Sequence, residues 1–149
     1  MPAPKELERL GNLFQLASER NRPFLDRCSE AKYLAISDFD SAMNVAIKLA
    51  RQAFSDFNLN PRAGDDCKTC LERVKGRIET GQLDNDFIHA LEDFRYQYLE
   101  KVLRPAVQEY LRSEELKSKE IDRLYYNSLR IKELLGVVQF LKKVEPVEF

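Results

Sequence analysis

SDFDSAMNVAIKLARQAFSDF, residues 37–57, decides what kind of fold this chain can adopt. Two apolar series run through it at the three-and-four spacing of an α-helix: Ala42, Val45, Ala46, Leu49 and Ala53, and beside them Met43, Ile47, Ala50 and Phe54. A half-buried strand would alternate apolar with polar, and this stretch does not. Ser37, with Asp40 three residues on, has the form of a capping box in which Asp replaces the usual Glu, so a helix is predicted from there to about Phe57. Two apolar series leave it little polar surface. The sequence therefore puts this third helix at the centre of a bundle.

Outward from it, other helices follow from the same spacing. On the N-terminal side Leu7, Leu10, Phe14 and Ala17, widened by Leu13 and Leu16, predict a first helix from about Lys5 to Arg20. Pro23 interrupts after Asn21-Arg22 and fits the first turn of a second helix, striped by Phe24, Cys28, Ala31 and Ala35 and ending near Ile36. On the C-terminal side Asn60-Pro61 and Gly64 mark a loop, after which Asp65 or Asp66 caps a fourth helix. Its apolar positions are Cys67, Cys70, Leu71, Val74 and Ile78, with Lys68, Arg73, Lys75 and Arg77 flanking the arc and Thr80-Gly81 stopping it. Asp84 begins a fifth helix whose stripe runs from Phe87 through Leu91, Phe94, Tyr98, Val102 and Ala106 to Tyr110. Pro105 lies inside that stripe without breaking its phase, which predicts one long helix kinked at Pro105. Ser113 or Ser118 caps a last helix that runs to about Lys143.

The expected fold is all-α: a single-domain five- or six-helix bundle over residues 1–143, with residues 144–149 as an extended C-terminal tail containing Pro146. Composition agrees. Five Gly and six Pro in 149 residues are too few for the turns of a β-sandwich, and 33% charged residues suit helices with solvated faces. Twenty-four Lys and Arg balance 25 Asp and Glu, and no block of like charge points to a duplex or a membrane surface. The charged start MPAPKELERLGNLF is not a secretory leader, no apolar run is long enough to span a bilayer, and three cysteines cannot all pair; a cytoplasmic protein with reduced thiols is expected.

Chemistry-bearing constellations are sparse. Cys67-x-x-Cys70 is half of a zinc site or a redox pair, and Cys28 and His89 are the remaining soft or borderline ligands. Phasing sets the pair on the apolar stripe of the fourth helix and His89 on the polar face of the fifth, which leaves buried core thiols as the better reading and a Cys-based metal or redox protein as the less favoured one. Asp86-x-x-His89 has the spacing of a di-iron ligand pair, but one histidine cannot complete such a site. No catalytic, cofactor-binding or metal-ligating residue is assigned. Arg20, Arg22 and Arg27 form the one local arginine cluster; with Glu19, Asp26 and Glu30 interleaved it reads first as a solvated, salt-bridged corner and second as a weak candidate phosphate-contacting patch.

Residues Ser29–Arg51, SEAKYLAISDFDSAMNVAIKLAR, loosely resemble the helical hairpin of the HEPN and nucleotidyltransferase substrate-binding bundles, and equally tetratricopeptide-like hairpins. The resemblance covers under a sixth of the chain. It implies a nucleic-acid-associated helical bundle, without the Arg and His of its ribonuclease members, since no arginine precedes His89 at their spacing. The leading reading is a non-enzymatic protein-interaction or adaptor domain. Between Leu129 and Leu141 eight of thirteen residues are apolar and cover well over half the helix circumference, so the segment is either bundle core or an interface. Leu134, Val137, Val138 and Leu141 are the candidate interface, with a homodimer the expected use and Gly136 favouring close backbone approach.

Overall fold

The computed structural model describes residues 4–55, 57, 59, 63–113 and 118–146. These build α1 (Pro4–Arg20), α2 (Arg22–Ser37), α3 (Phe39–Phe54), α4 (Asp65–Glu79), α5 (Asn85–Tyr98), a π-helical turn (Leu99–Leu103), α6 (Arg104–Ser113) and α7 (Ser118–Val144). There is no strand among the described residues, and the fold is an all-α bundle. Glu145 and Pro146 follow α7 outside any helix, and the rest of the expected tail, residues 147–149, lies outside the described residues.

Helix starts follow side-chain chemistry. Asp38, rather than Ser37, caps α3: its carboxylate accepts the Ser41 backbone N–H at 3.1 Å and the Ser41 hydroxyl at 2.6 Å. Those bonds hold the Asp38 carboxyl below its ordinary range. Ser37 instead donates its hydroxyl back to the Leu34 carbonyl, 3.3 Å away. Asp84 caps α5 as its position predicts, accepting the Phe87 N–H at 3.0 Å. The cap of α4 is Gly64, at φ 90°, with no side-chain bond; Asp65 and Asp66 lie one step further on, in the first turn, where negative charge faces the positive end of the helix dipole.

The long fifth helix changes register instead of running on uniformly. Proline has no N–H, and its ring crowds the carbonyl four residues back. Immediately before Pro105 the ladder widens into the π-turn, and the Arg104 N–H reaches the Leu99 carbonyl five residues away. α6 then carries the apolar series on to Tyr110, which is buried.

α7, not α3, is the central element: α1, α2, α3, α5, the π-turn and α6 all pack against it. From Leu129 onward it buries Ile131, Leu134, Leu135, Val137, Val138 and Leu141 among Phe24, Cys28 and Ala31 of α2, Ala46, Leu49 and Ala50 of α3, and Phe87 and Leu91 of α5. α3 takes a flank, because the face it buries is made mostly of small side chains and neither of its two apolar series is covered throughout. Met43, Val45 and Ile47 remain half-buried, while Ala42, Ala46, Ala50 and Ala53 give it a face of small side chains. α4 closes the other side against α5 with Cys67, Leu71, Val74 and Ile78. Where α3 ends, Phe54, Phe57, Phe94 and Tyr98 form an aromatic cluster with ring centroids 5.4–5.9 Å apart.

Candidate functional site

The four residues expected at an interface are inside the chain. Leu134, Val137 and Leu141 are 0% exposed and Val138 is 1% exposed, so this face of α7 is bundle core and offers nothing to a partner. The correction has a simple cause: three helices of the same chain bring apolar residues to an arc that the sequence shows as wide but cannot show as covered. Gly136 is not a close-approach position either, since a Cβ built there would meet only the Lys32 Nζ, at 3.7 Å.

The densest polar construction lies at the α1–α2 junction, against the middle of α7. Asn21 is the one buried polar residue among those described. Its N–H donates to the Ala17 carbonyl at 3.1 Å and its carbonyl accepts the Leu25 N–H at 2.8 Å. Its side-chain amide donates to the Tyr126 carbonyl at 3.1 Å, and the amide oxygen accepts the Arg130 Nε–H at 2.9 Å. Arg130 also lies over the Phe24 ring at 4.8 Å and the Tyr126 ring at 4.6 Å. Arg20 lies over the same Tyr126 ring at 4.8 Å and pairs with Asp122. Every hydrogen-bonding group of Asn21 is thus used, as burial requires.

This geometry divides the three arginines of the candidate phosphate patch. Arg20 is committed to Asp122 and Tyr126. Arg22 and Arg27 are exposed, but five residues apart on α2 they point about 140° away from each other, and no single basic face results. Arg130 is the residue that sequence reading missed. It stands 109 positions from Asn21, and no local pattern signals such a pair.

The thiols do not converge. Among the described residues no three His, Cys, Asp or Glu side chains are grouped to hold a metal. Cys28 is buried near Glu133, Lys32 and Arg130; burial, and secondarily Glu133, push its thiol up to about 11. Burial likewise pushes Cys67 up to about 11. Cys70 is half-exposed, and its thiol too lies above the ordinary value. All three are protonated at neutral pH, which is unsuited to nucleophilic or redox work. His89 is exposed on α5. A surface cleft of about 240 Å³ is lined by Ala63, Gly64, Asp65, Asp66, Gln97 and Lys101.

Large apolar side chains are uncovered on several helices: Tyr33 is 81% and Ile36 77% exposed on α2, Tyr96 is 64% exposed on α5, and α1 carries three. Leu7 is 55% exposed, Phe14 47% and Leu16 50%, although Phe14 meets Tyr125 of α7 edge to face at 6.0 Å. Leu7 and Phe14 share one flank with Gly11 between them, and a Cβ at Gly11 would have no atom within 4 Å. No helix of the described residues is long and apolar enough to cross a membrane. Comparison with known proteins gives no kinship to set beside this geometry: no family model matches the chain, and no similar curated protein or solved structure is found.

Proposed function

We propose that the chain is a non-enzymatic protein-docking domain whose contact surface is the outer flank of α1. The observation that carries this reading is the half-exposure of two large apolar side chains, Leu7 and Phe14, that share one flank of α1. Single exposed hydrophobics are ordinary, but neighbouring ones on a short helix cost solubility unless something covers them. The three cysteines, none of them in a disulfide, accord with a reducing, cytoplasmic setting.

Affinity isolation from native lysate, with wild type compared to the double variant Leu7→Glu/Phe14→Glu, tests the reading, with light scattering on both proteins to register self-association. Both positions are half-exposed, so the variant keeps its helical circular dichroism. It loses the specific partner or, if the partner is a second copy, becomes monomeric. A folded double variant that retains every partner and the oligomeric state of wild type refutes the α1 surface.

A further inference from the structure

We propose that α1 is a latched arm: it releases from α7 as a unit, pivoting at Asn21, and charge and cation–π contacts, added to a limited apolar contact, hold it down. This inference does not depend on the docking reading, because the motion belongs to the isolated chain.

Three observations carry it. First, α1 contributes no residue to the main hydrophobic cluster. Of its apolar side chains only Ala17 is fully buried, while Leu10 and Leu13 are half-buried and Leu7, Phe14 and Leu16 are about half exposed. Second, what ties it down beyond that apolar contact is polar and directional. Arg20 pairs with Asp122 and covers Tyr126, and Arg9 lies over the Tyr110 ring of α6 at 5.0 Å and donates to its hydroxyl. Third, the junction is built to let α1 move without α2. Asn21 is pinned to α7 through the Tyr126 carbonyl and Arg130. Pro23 has no N–H for the Glu19 carbonyl, so the helical ladder is already broken at the pivot.

A freed seventeen-residue helix is marginal in water, so release and unravelling are one event. Release would uncover Tyr125, which Phe14 meets edge to face, and open the way to Ile121, which is 0% exposed and lies outside the main cluster. That strip of α7 is the apolar surface the arm guards.

Hydrogen exchange read by mass spectrometry on the full chain, at low salt and at about 1 M NaCl where charges are screened within about 3 Å, tests the latch. Amides of residues 5–20 are expected to exchange about tenfold or more faster than those of α3 and of residues 129–141. Salt widens that ratio. Arg20→Ala at low salt reproduces the effect of salt, and the charge-swapped pair Arg20→Asp/Asp122→Arg, which restores the ion pair but not the Arg20–Tyr126 contact, recovers part of the protection, which separates a latch from general damage. Protection of α1 equal to that of α3 overturns the proposal. So does faster exchange in α1 that neither salt nor Arg20→Ala changes.

Discussion

Between Leu129 and Leu141, α7 buries Leu129, Ile131, Leu134, Leu135, Val137, Val138 and Leu141, whereas between Ile121 and Ser128 it fully buries Ile121 alone. One continuous helix therefore passes through two environments. Its C-terminal half is sheathed by α2, α3 and α5, and the stabilising term there is removal of apolar area from water, which is non-directional and large. Its N-terminal half is met by α1 through Arg20–Asp122 and by α5 through the Tyr98 hydroxyl, which donates to the Leu124 carbonyl at 3.4 Å, while α1 is itself tied to α6 by Arg9–Tyr110. Contacts of that kind fix geometry and add little net stability where they are half-exposed. The rigid end and the releasable end of this molecule are built from different forces.

The largest effect that can break this contrast is a charge in the sheathed half. Val137→Asp sets a carboxylate where exposure is 0%, and is expected to cost more than about 4 kcal/mol and unfold the chain. A soluble, folded Val137→Asp monomer, shown by circular dichroism and light scattering, would mean that this face is not core. Truncations in the two halves sharpen the same point. Leu134→Ala should cost about 2–5 kcal/mol in urea unfolding, and Leu124→Ala, half-buried on the other side of the divide, about 1 kcal/mol. Equal losses would erase the distinction.

Asn21 sits at the boundary between the halves, and Asn21→Ala is expected to cost about 1–3 kcal/mol, because the Arg130 Nε–H loses its acceptor and the Tyr126 carbonyl a donor inside the fold. The same substitution should raise exchange in α1 more than in α3. A loss below about 0.5 kcal/mol would show that water replaces the amide at no cost, and that the junction is wetter than the described contacts imply.

The buried thiols, Cys28 on α2 and Cys67 on α4, probe the core through pH. Burial raises Cys28 and Cys67 from the ordinary 9.0 to about 11. Between those values the folded chain keeps protons that the unfolded chain has lost, so stability is complete below about pH 9 and falls as pH rises towards 11. Cys28→Val and Cys67→Val variants should lose less stability than wild type across that window. Urea midpoints at the two ends give the difference, in which contributions from lysines and from Tyr98 cancel. Cys70, half-exposed, should react first with a thiol reagent at neutral pH.

How much of this was legible in the sequence follows from the range of each interaction. The stripes of α1 to α5 and of α7 are local, repeating every three or four residues, and so were the Asp84 cap and the Gly81 stop, which sits at φ 71°. The wide apolar arc of Leu129–Leu141 announced burial but not its cover, because Phe24, Ala46 and Leu91 come from helices far away in the chain. The Asn21–Arg130 contact was invisible for the same reason, and Arg20 read as a member of a corner salt-bridged to nearby acids because Asp122, 102 residues on, carries no mark of its partner. Competition between adjacent residues decided the rest: Asp38 outcompetes Ser37 as a cap because a carboxylate accepts two bonds from Ser41. The π-turn answers Pro105 in a way that side-chain phase alone does not encode.

The smallest expected effect tests whether the sheathed half is crowded everywhere. Gly136 lies within it, flanked by Leu135 and Val137, yet an added Cβ would meet only the Lys32 Nζ at 3.7 Å, the far end of a flexible side chain at ordinary contact distance. Its φ is not positive, so alanine fits the backbone without strain. Gly136→Ala removes conformational freedom from the unfolded chain and adds helix propensity, and should stabilise by about 0.5–1 kcal/mol. The readout is a higher urea midpoint with an unchanged slope, since the area exposed on unfolding stays the same. Gly11→Ala, where nothing lies within 4 Å of the new Cβ, should give a similar gain confined to α1, visible as slower exchange there and not in α3. A destabilised Gly136→Ala beside a stabilised Gly11→Ala would mean that α2 and α7 approach more closely at Lys32 than these distances allow, extending tight packing to every position of the C-terminal half.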